Sequence, residues 1–72
     1  MIESQAYLCA ISGWSLTPET ASLDHITPVS RGGELKAIAN VQIVHTVINR
    51  MKGTMTNEEF ISACKAVAGR HQ

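Results

Sequence analysis

Residues 23–33 read LDHITPVSRGG, and residues 40–53 read NVQIVHTVINRMKG. We interpret Ser22–Val29 as a strand, because β-branched residues dominate the end of this segment. Pro28 places the end of that strand at an edge or a bulge, because proline cannot donate to a ladder. The second stretch opens with another short strand, Asn40–Val44. The two strands together predict a β-hairpin.

Two helices are predicted after the hairpin. The first spans His45–Lys52, where Val44, Val47, Ile48 and Met51 recur at helical spacing. Gly53 suits its C-cap. The second begins near Thr56, because residues 56–59 have the pattern of a capping box. Its apolar residues form one stripe that we expect to pack in the core: Phe60, Ile61, Cys64, Val67 and Ala68. The fold class is therefore α+β, a hairpin plus a helix with an additional C-terminal helix.

The chain before the hairpin carries weaker signals. Residues 6–12 are mostly apolar and predict a short strand that Gly13 ends. Leu16–Thr20 predicts a turn or a single helical turn, with Thr17 as its cap and Pro18 at its first position.

Length and composition bound the class of protein. A chain of 72 residues makes one small domain, residues 1–72, whose core alone supplies little stability. An apolar fraction of 44% with 17% charged residues is typical of a globular chain. No apolar run approaches the roughly 18 residues of a membrane span, and no signal peptide is recognisable. We expect a cytoplasmic protein without a membrane partner, in which Cys9 and Cys64 stay reduced.

Three polar residues of the hairpin and the first helix can carry chemistry. A hairpin followed by a helix can bring Asp24 and His25 together with Asn49. Asp24 and Asn49 offer the oxygen ligands that Mg²⁺ prefers, of which proteins often supply only one or two. A neutral histidine such as His25 can take a proton from water as a general base. Each residue alone is more often structural, so the weight rests on their order and spacing.

That order resembles the motif of the HNH endonucleases, which are ββα-metal or His-Me finger nucleases. Residues 23–33 resemble the first half of the motif and residues 40–53 its second half. The similarity runs from about Cys9 to Gly53, and the Glu59-Phe60 pair is also common in phage and bacterial members. The resemblance implies a DNA endonuclease or nickase that uses one Mg²⁺ or Mn²⁺ ion. It implies phosphodiester hydrolysis that leaves a 3′-hydroxyl and a 5′-phosphate, with one module cutting one strand.

The resemblance also implies a role for each matching position. Asp24 resembles the aspartate that binds the catalytic metal, and His25 resembles the histidine that activates water. Asn40 matches the middle asparagine, whose side chain ties the hairpin loop to the strand and so orients the histidine. Asn49 stands where the family has a His or Asn as second metal ligand. Here the residue is Asn, as in the HNH domains of RNA-guided nucleases.

The chain departs from the family at the two Cys-x-x-Cys pairs that hold a structural zinc in many members. The four positions contain Cys9, Ser12, His45 and Ile48. Closed zinc sites need four sulfur or nitrogen ligands, so we expect no structural zinc here and apolar packing in its place. Ile48 would then face Cys9, with Trp14 or Leu8 filling the gap.

The sequence allows more than one role for one histidine and for three basic residues. His45 can be a satisfied surface histidine, a phosphate contact, a remnant zinc ligand or a further ligand of the catalytic metal, one helical turn before Asn49. Arg31, Arg50 and Lys52 can contact phosphate or be solvated surface charge. Nothing in the sequence forms a cluster for reading bases, so we expect double-stranded DNA to be bound with weak sequence preference.

The net charge keeps a second function open. Six Lys and Arg balance six Asp and Glu, whereas most autonomous DNA-binding domains carry a basic face. The alternative is a catalytically inactive HNH-fold remnant that binds DNA or a protein partner. A zinc-ribbon-like structural module is a third possibility, against which Ile48 argues. Loss of the zinc ligands leaves open a homo-oligomer or a place in a larger protein, and the small size fits a phage or prophage protein, whether bacterial or phage-encoded.

Overall fold

The computed structural model describes residues 6–71. Within them lie two antiparallel strands, β1 (Ala21–His25) and β2 (Val41–His45), and two helices, α1 (Thr46–Lys52) and α2 (Asn57–Arg70). The predicted α+β class is confirmed, because a two-stranded hairpin is followed by two helices in the order of a ββα layout. No helix of the described residues combines the length and the apolar character needed to cross a membrane.

The hairpin has a long connection that fixes where each strand ends. β1 ends at His25 rather than at Val29, because Pro28 has no backbone N–H and precedes a 3₁₀ turn over Val29–Arg31. A second 3₁₀ turn, Ile38–Asn40, leads directly into β2. The register pairs Ala21 with His45, Ser22 with Val44, Leu23 with Ile43, Asp24 with Gln42, and His25 with Val41.

The strand predicted at residues 6–12 is wrong. Ala6 and Tyr7 have φ angles of 56° and 59°, a left-handed conformation that strands do not contain. The chain then reverses, and the N–H of Cys9 donates to the carbonyl of Trp14 at 2.8 Å. The apolar residues of this segment therefore report burial of Cys9, which is 3% exposed, and not a strand.

The local signals at turns and helix ends are confirmed. Leu16–Thr20 contains a turn. His45 is the N-cap of α1, and Gly53, with a φ angle of 55°, is its C-cap. Thr56 and Glu59 form the predicted capping box at the start of α2, in which each side chain accepts a hydrogen bond from the backbone N–H of the other.

The apolar core is small and gathers residues from the N-terminal turns, β2 and both helices. Its buried members are Cys9, Leu16, Val44, Ile48 and Phe60. Ile48 and Cys9 belong to the same core, in agreement with the apolar packing that was expected between these two positions. Trp14 and Leu8 do not fill that space, because their exposed fractions are 49% and 42%.

The apolar stripe of α2 was expected in the core, and that expectation is wrong for most of its members. Phe60 is 4% exposed, but Val67 is 64% exposed, and Ile61, Cys64 and Ala68 are also outside the core. Helical periodicity reports which side of a helix is apolar, and it does not report whether another element covers that side. The second half of α2 instead borders open apolar grooves beside Met51 of α1.

Candidate active site

A pocket of about 250 Å³ at the end of β1 collects the three residues of the predicted site. Its lining consists of Leu23, Asp24, His25, Pro28, Val29, Asn49 and Gly53. β1 supplies Asp24 and His25. α1 supplies Asn49, because α1 follows β2 without a break and β2 is paired with β1. The fold therefore brings a carboxylate, an imidazole and an amide to one cavity.

The carboxylate of Asp24 is buried and has two strong partners. Its Oδ2 atom accepts from the ammonium of Lys52 at 2.7 Å and from the amide nitrogen of Gln42 at 2.8 Å. The side chains of Asp24 and Lys52 are 7% and 0% exposed. A buried carboxylate without such partners would be strongly destabilising, so these two contacts fix the position of Oδ2.

Gln42 extends the contacts of Asp24 to α2. Its amide nitrogen also donates to the amide oxygen of Asn57 at 2.9 Å, and the amide nitrogen of Asn57 donates back to Gln42 at 3.2 Å. Asp24 and Gln42 face each other across the hairpin. One polar network of Asp24, Gln42, Lys52 and Asn57 thus joins both strands and both helices beneath the pocket. The roles of Gln42 and Asn57 in it were not predicted from the sequence.

Lys52 does not occupy the surface position that a phosphate contact needs. Besides Asp24, its ammonium donates to the carbonyl of His25 at 2.7 Å and lies 3.4 Å from the carbonyl of Ile26. The residue is 1% exposed. The prediction that Lys52 contacts DNA does not fit this burial, and its position assigns it to the interior beneath the pocket.

The imidazole of His25 is held in a defined orientation. Its Nε2 atom lies 3.0 Å from the carbonyl oxygen of Leu35. A carbonyl oxygen can only accept, so in the neutral ring Nε2 carries the hydrogen and Nδ1 keeps a lone pair. Leu35 could not be predicted as this partner from the sequence, because every residue has a backbone carbonyl.

Asn40 ties the loop before β2 together, as the resemblance implies. Its amide oxygen accepts from the N–H of Thr27 at 2.9 Å, and its nitrogen donates to the carbonyls of Thr27 and Glu34, both at 3.0 Å. Glu34 directly precedes Leu35, so Asn40 holds the peptide next to the carbonyl that contacts His25.

Gly33 allows this loop to close. A Cβ atom at Gly33 would lie 1.9 Å from the carbonyl oxygen of Thr27 and 2.8 Å from the amide nitrogen of Asn40. Both distances are far below ordinary van der Waals contact, so no side chain fits there. This close approach of two backbone segments explains why residue 33 is a glycine.

Asn49 is anchored through its amide nitrogen, which donates to the hydroxyl of Ser22 at 2.6 Å and lies 3.4 Å from the carbonyl of Leu23. With the nitrogen directed at β1, the amide oxygen is the atom that Asn49 offers to a cation. Asp24 and Asn49 are thus two oxygen donors on one pocket, a set that suits a hard divalent ion such as Mg²⁺. The residues present fit the implied metal.

His45 is placed away from this pocket. It pairs with Ala21 at the opposite end of the ladder from His25, about 13 Å along a strand that rises roughly 3.3 Å per residue. Its Nδ1 accepts from the N–H of Val47 at 3.1 Å, and its ring packs edge-on against Trp14 with centroids 5.2 Å apart. His45 is a helix cap, and the suggestion that it binds the catalytic metal does not fit this position.

The positions at which many HNH endonucleases have zinc ligands, and at which no zinc was expected here, surround the thiol of Cys9. Burial raises the pKa of the Cys9 thiol, but hydrogen bonds from Ser12, His45 and Ile11 lower it, and the net pKa lies below the ordinary value. The N–H of Ser12 donates to the Cys9 sulfur at 3.4 Å. Within residues 6–71, no three His, Cys, Asp or Glu side chains come together as a closed metal site would require.

The two arginines differ in their surroundings. Arg31 forms an ion pair with Glu59 of α2. The hydrogen bond and the charge of Glu59 raise the pKa of Arg31, and the same hydrogen bond is the main cause that lowers the pKa of Glu59. Arg50 is exposed on α1. Arg50 therefore offers its charge to solvent, whereas Arg31 would have to share its charge with Glu59.

No family model and no curated protein sequence matches the chain. The likeness to HNH endonucleases therefore rests on the motif residues and on their arrangement around the pocket.

Proposed function

We propose that the chain is a divalent-metal-dependent DNA endonuclease or nickase of the HNH, ββα-metal type. The observation that carries the proposal is the pocket shared by Asp24, His25 and Asn49 at the junction of hairpin and helix. Two further observations add support: the contact with Leu35 sets the tautomer of His25, and Asn40 forms hydrogen bonds within the neighbouring loop. Both matter because a general base must be oriented toward the proton that it takes. The substrate would be double-stranded DNA with weak sequence preference.

Asp24 and Asn49 would hold one Mg²⁺ or Mn²⁺ ion. When bound, such an ion stabilises the charge that develops on the phosphate and on the leaving oxygen. Asp24 would contribute Oδ1, because Lys52 and Gln42 already occupy Oδ2. Two protein ligands are enough for Mg²⁺, which keeps several waters and takes the rest from substrate phosphates.

His25 would act as the general base through Nδ1. A water molecule gives its proton to Nδ1, and its oxygen forms a new bond to phosphorus. The bond from phosphorus to the 3′-oxygen breaks, and that oxygen takes a proton from solvent, which leaves a 3′-hydroxyl and a 5′-phosphate. The contact of Nε2 with the carbonyl of Leu35 keeps Nδ1 unprotonated in the neutral ring.

Contact with DNA would depend on few charges. Arg50 is the exposed cation next to Asn49 on α1, and Arg31 would reach a phosphate only in competition with Glu59. Because the net charge of the chain is zero and few cations would contact phosphate, we expect weak binding that changes only modestly as salt is raised.

Nicking of a supercoiled plasmid tests the proposal, with Mg²⁺, with Mn²⁺ and with EDTA. We expect metal-dependent nicking that His25→Ala slows by about 100-fold or more, the usual contribution of a general base. His71→Ala is the matched control, since it removes an exposed histidine near the end of α2. Circular dichroism shows that each variant is folded. Absence of metal-dependent nicking, or equal nicking by His25→Ala, would refute the proposal.

A second candidate is a non-catalytic HNH-fold protein that binds DNA or a protein partner. The buried ion pair between Asp24 and Lys52 favours it, because this carboxylate already has a cation at 2.7 Å. Fluorescence anisotropy with a labelled duplex separates the two functions. Duplex binding without nicking in any metal supports the second candidate, and metal-dependent nicking excludes it.

A further inference from the structure

Lys52 is a buried cation whose bonds converge on one end of β1. Its ammonium donates to Oδ2 of Asp24 and to the carbonyl of His25, each at 2.7 Å. Its side chain has no exposed area. An ammonium has three hydrogens, and all the acceptors near it come from the segment that carries the two residues of the proposed site.

The negative charge of Asp24 would therefore interact with two positive groups, the ammonium of Lys52 and the divalent ion of the proposed reaction. In the fold as it stands, Lys52 neutralises this buried carboxylate, and Gln42 holds the same oxygen. In the proposed reaction, a divalent ion would share the carboxylate through its other oxygen. Two cations on one carboxylate repel each other, and the repulsion is large where the dielectric constant is low.

We infer that Lys52 is a positioning residue that stands in for the metal at Asp24: it keeps the carboxylate in place without a metal and weakens the binding of a divalent ion. The inference rests on the proposed function, because it takes Asp24 as a metal ligand. A weak site of this kind fills mainly when a substrate phosphate adds its own negative charge. Metal binding would thus be coupled to substrate binding.

The test compares binding of Mn²⁺ alone to the wild-type chain and to Lys52→Met, by isothermal titration calorimetry without DNA. We expect Lys52→Met to bind Mn²⁺ at least tenfold more tightly, a change of about 1.4 kcal/mol. Lys65→Met is the matched control, because it removes the same charge from an exposed position of α2. It should bind Mn²⁺ as the wild type does. A purely structural role of Lys52 would lower stability and leave Mn²⁺ affinity unchanged or weaker, which would overturn the inference.

Lys52→Met can also fail to fold, because it removes the buried cation. In that case, the test is whether Mn²⁺ restores the fold. If Lys52→Met is unfolded without metal, circular dichroism during a Mn²⁺ titration should show it regaining helix. Failure to refold at ten times the Mn²⁺ concentration that saturates the wild type would contradict the inference. Lys52→Met/Asp24→Asn, which lacks both charges, should fold without metal and should not respond to Mn²⁺.

The outcomes distinguish this inference from the proposed function. Metal-dependent nicking by the wild type, with no gain in Mn²⁺ affinity for Lys52→Met, leaves the function standing and refutes the role of Lys52. Tight Mn²⁺ binding by Lys52→Met, together with no nicking by the wild type, supports the role of Lys52 and refutes the function. If neither chain binds Mn²⁺ and the wild type shows no metal-dependent nicking, both are refuted.

Discussion

Replacement of Asn40 by alanine should destabilise the loop that orients His25. The substitution removes three hydrogen bonds, two to the backbone of Thr27 and one to the carbonyl of Glu34. Each such bond is worth about 1 kcal/mol net, and the half-buried backbone groups of Thr27 are left without this partner. The bond to Glu34 is exposed, so we discount it and expect a loss of about 2–3 kcal/mol in the free energy of unfolding.

That loss is large for a molecule of this size. Stabilities of about 0.05–0.15 kcal/mol per residue are usual, and a domain of 72 residues has roughly 4–11 kcal/mol. A change of 1 kcal/mol shifts the melting temperature of a small domain by about 4–8 °C, so we expect Asn40→Ala to melt about 10–20 °C lower. The variant should remain folded at 20 °C.

Urea unfolding followed by far-ultraviolet circular dichroism measures the effect. The midpoint should fall while the slope with urea stays the same, since the surface exposed on unfolding hardly changes. Ser30→Ala is the control, because Ser30 lies exposed in the same connection between the strands and should change stability by less than about 0.5 kcal/mol. If Asn40→Ala is as stable as Ser30→Ala, the loop is held by something other than Asn40 and our account of His25 orientation is wrong.

Two further predictions concern α2. Phe60→Ala should lower the free energy of unfolding by about 3–5 kcal/mol, whereas Val67→Ser should change it by less than about 0.5 kcal/mol. The reason is that Phe60 is 4% exposed and Val67 is 64% exposed. Equal losses in urea unfolding would show that the second half of α2 is covered. Glu59→Gln should lower the melting temperature near pH 7, because the bond from Arg31 lowers the pKa of Glu59 in the folded state. A lowered pKa gives stability that is present above the ordinary value of 4.5 and is lost as pH falls through the folded value. The melting temperatures of the two chains should therefore converge in acid, and a difference that persists at pH 2 would contradict this origin.

Signals that depend on neighbouring residues were predictable from the sequence. The cap at Gly53 and the capping box of Thr56 and Glu59 are confirmed, because a helix end is satisfied by side chains and backbone within one turn. The role of Asn40 in holding the loop was predicted from the resemblance to the HNH motif and not from the spacing of residues. The false strand at residues 6–12 shows the limit of such signals. An apolar run indicates burial, but the left-handed backbone of Ala6 and Tyr7 and the reversal toward Trp14 leave room for only an isolated bridge between Leu8 and Ser15.

Features that depend on distant packing were not predictable. Lys52 ends α1, where a lysine usually lies in solvent, and only the position of Asp24 in space shows that it is buried. The stripe of α2 identified its apolar side, but nothing in the sequence showed that its second half lies beyond the core. Gln42 did carry a usable signal, because it alternates with Val44 on the inward face of β2, and a polar residue on an inward face needs a buried partner.

The inward face of β2 thus contacts two different environments, one apolar and one polar. At Val44 the interior is apolar and includes Cys9, Ile48 and Phe60. At Gln42 it is polar, and the network with Asp24, Lys52 and Asn57 lies directly beneath the pocket. Well-packed apolar residues of similar volume would often stabilise a small domain as well as or better than a buried ion pair. A polar interior located under the candidate site, in a chain with so little core, is better explained by the need to hold a carboxylate in position than by stability.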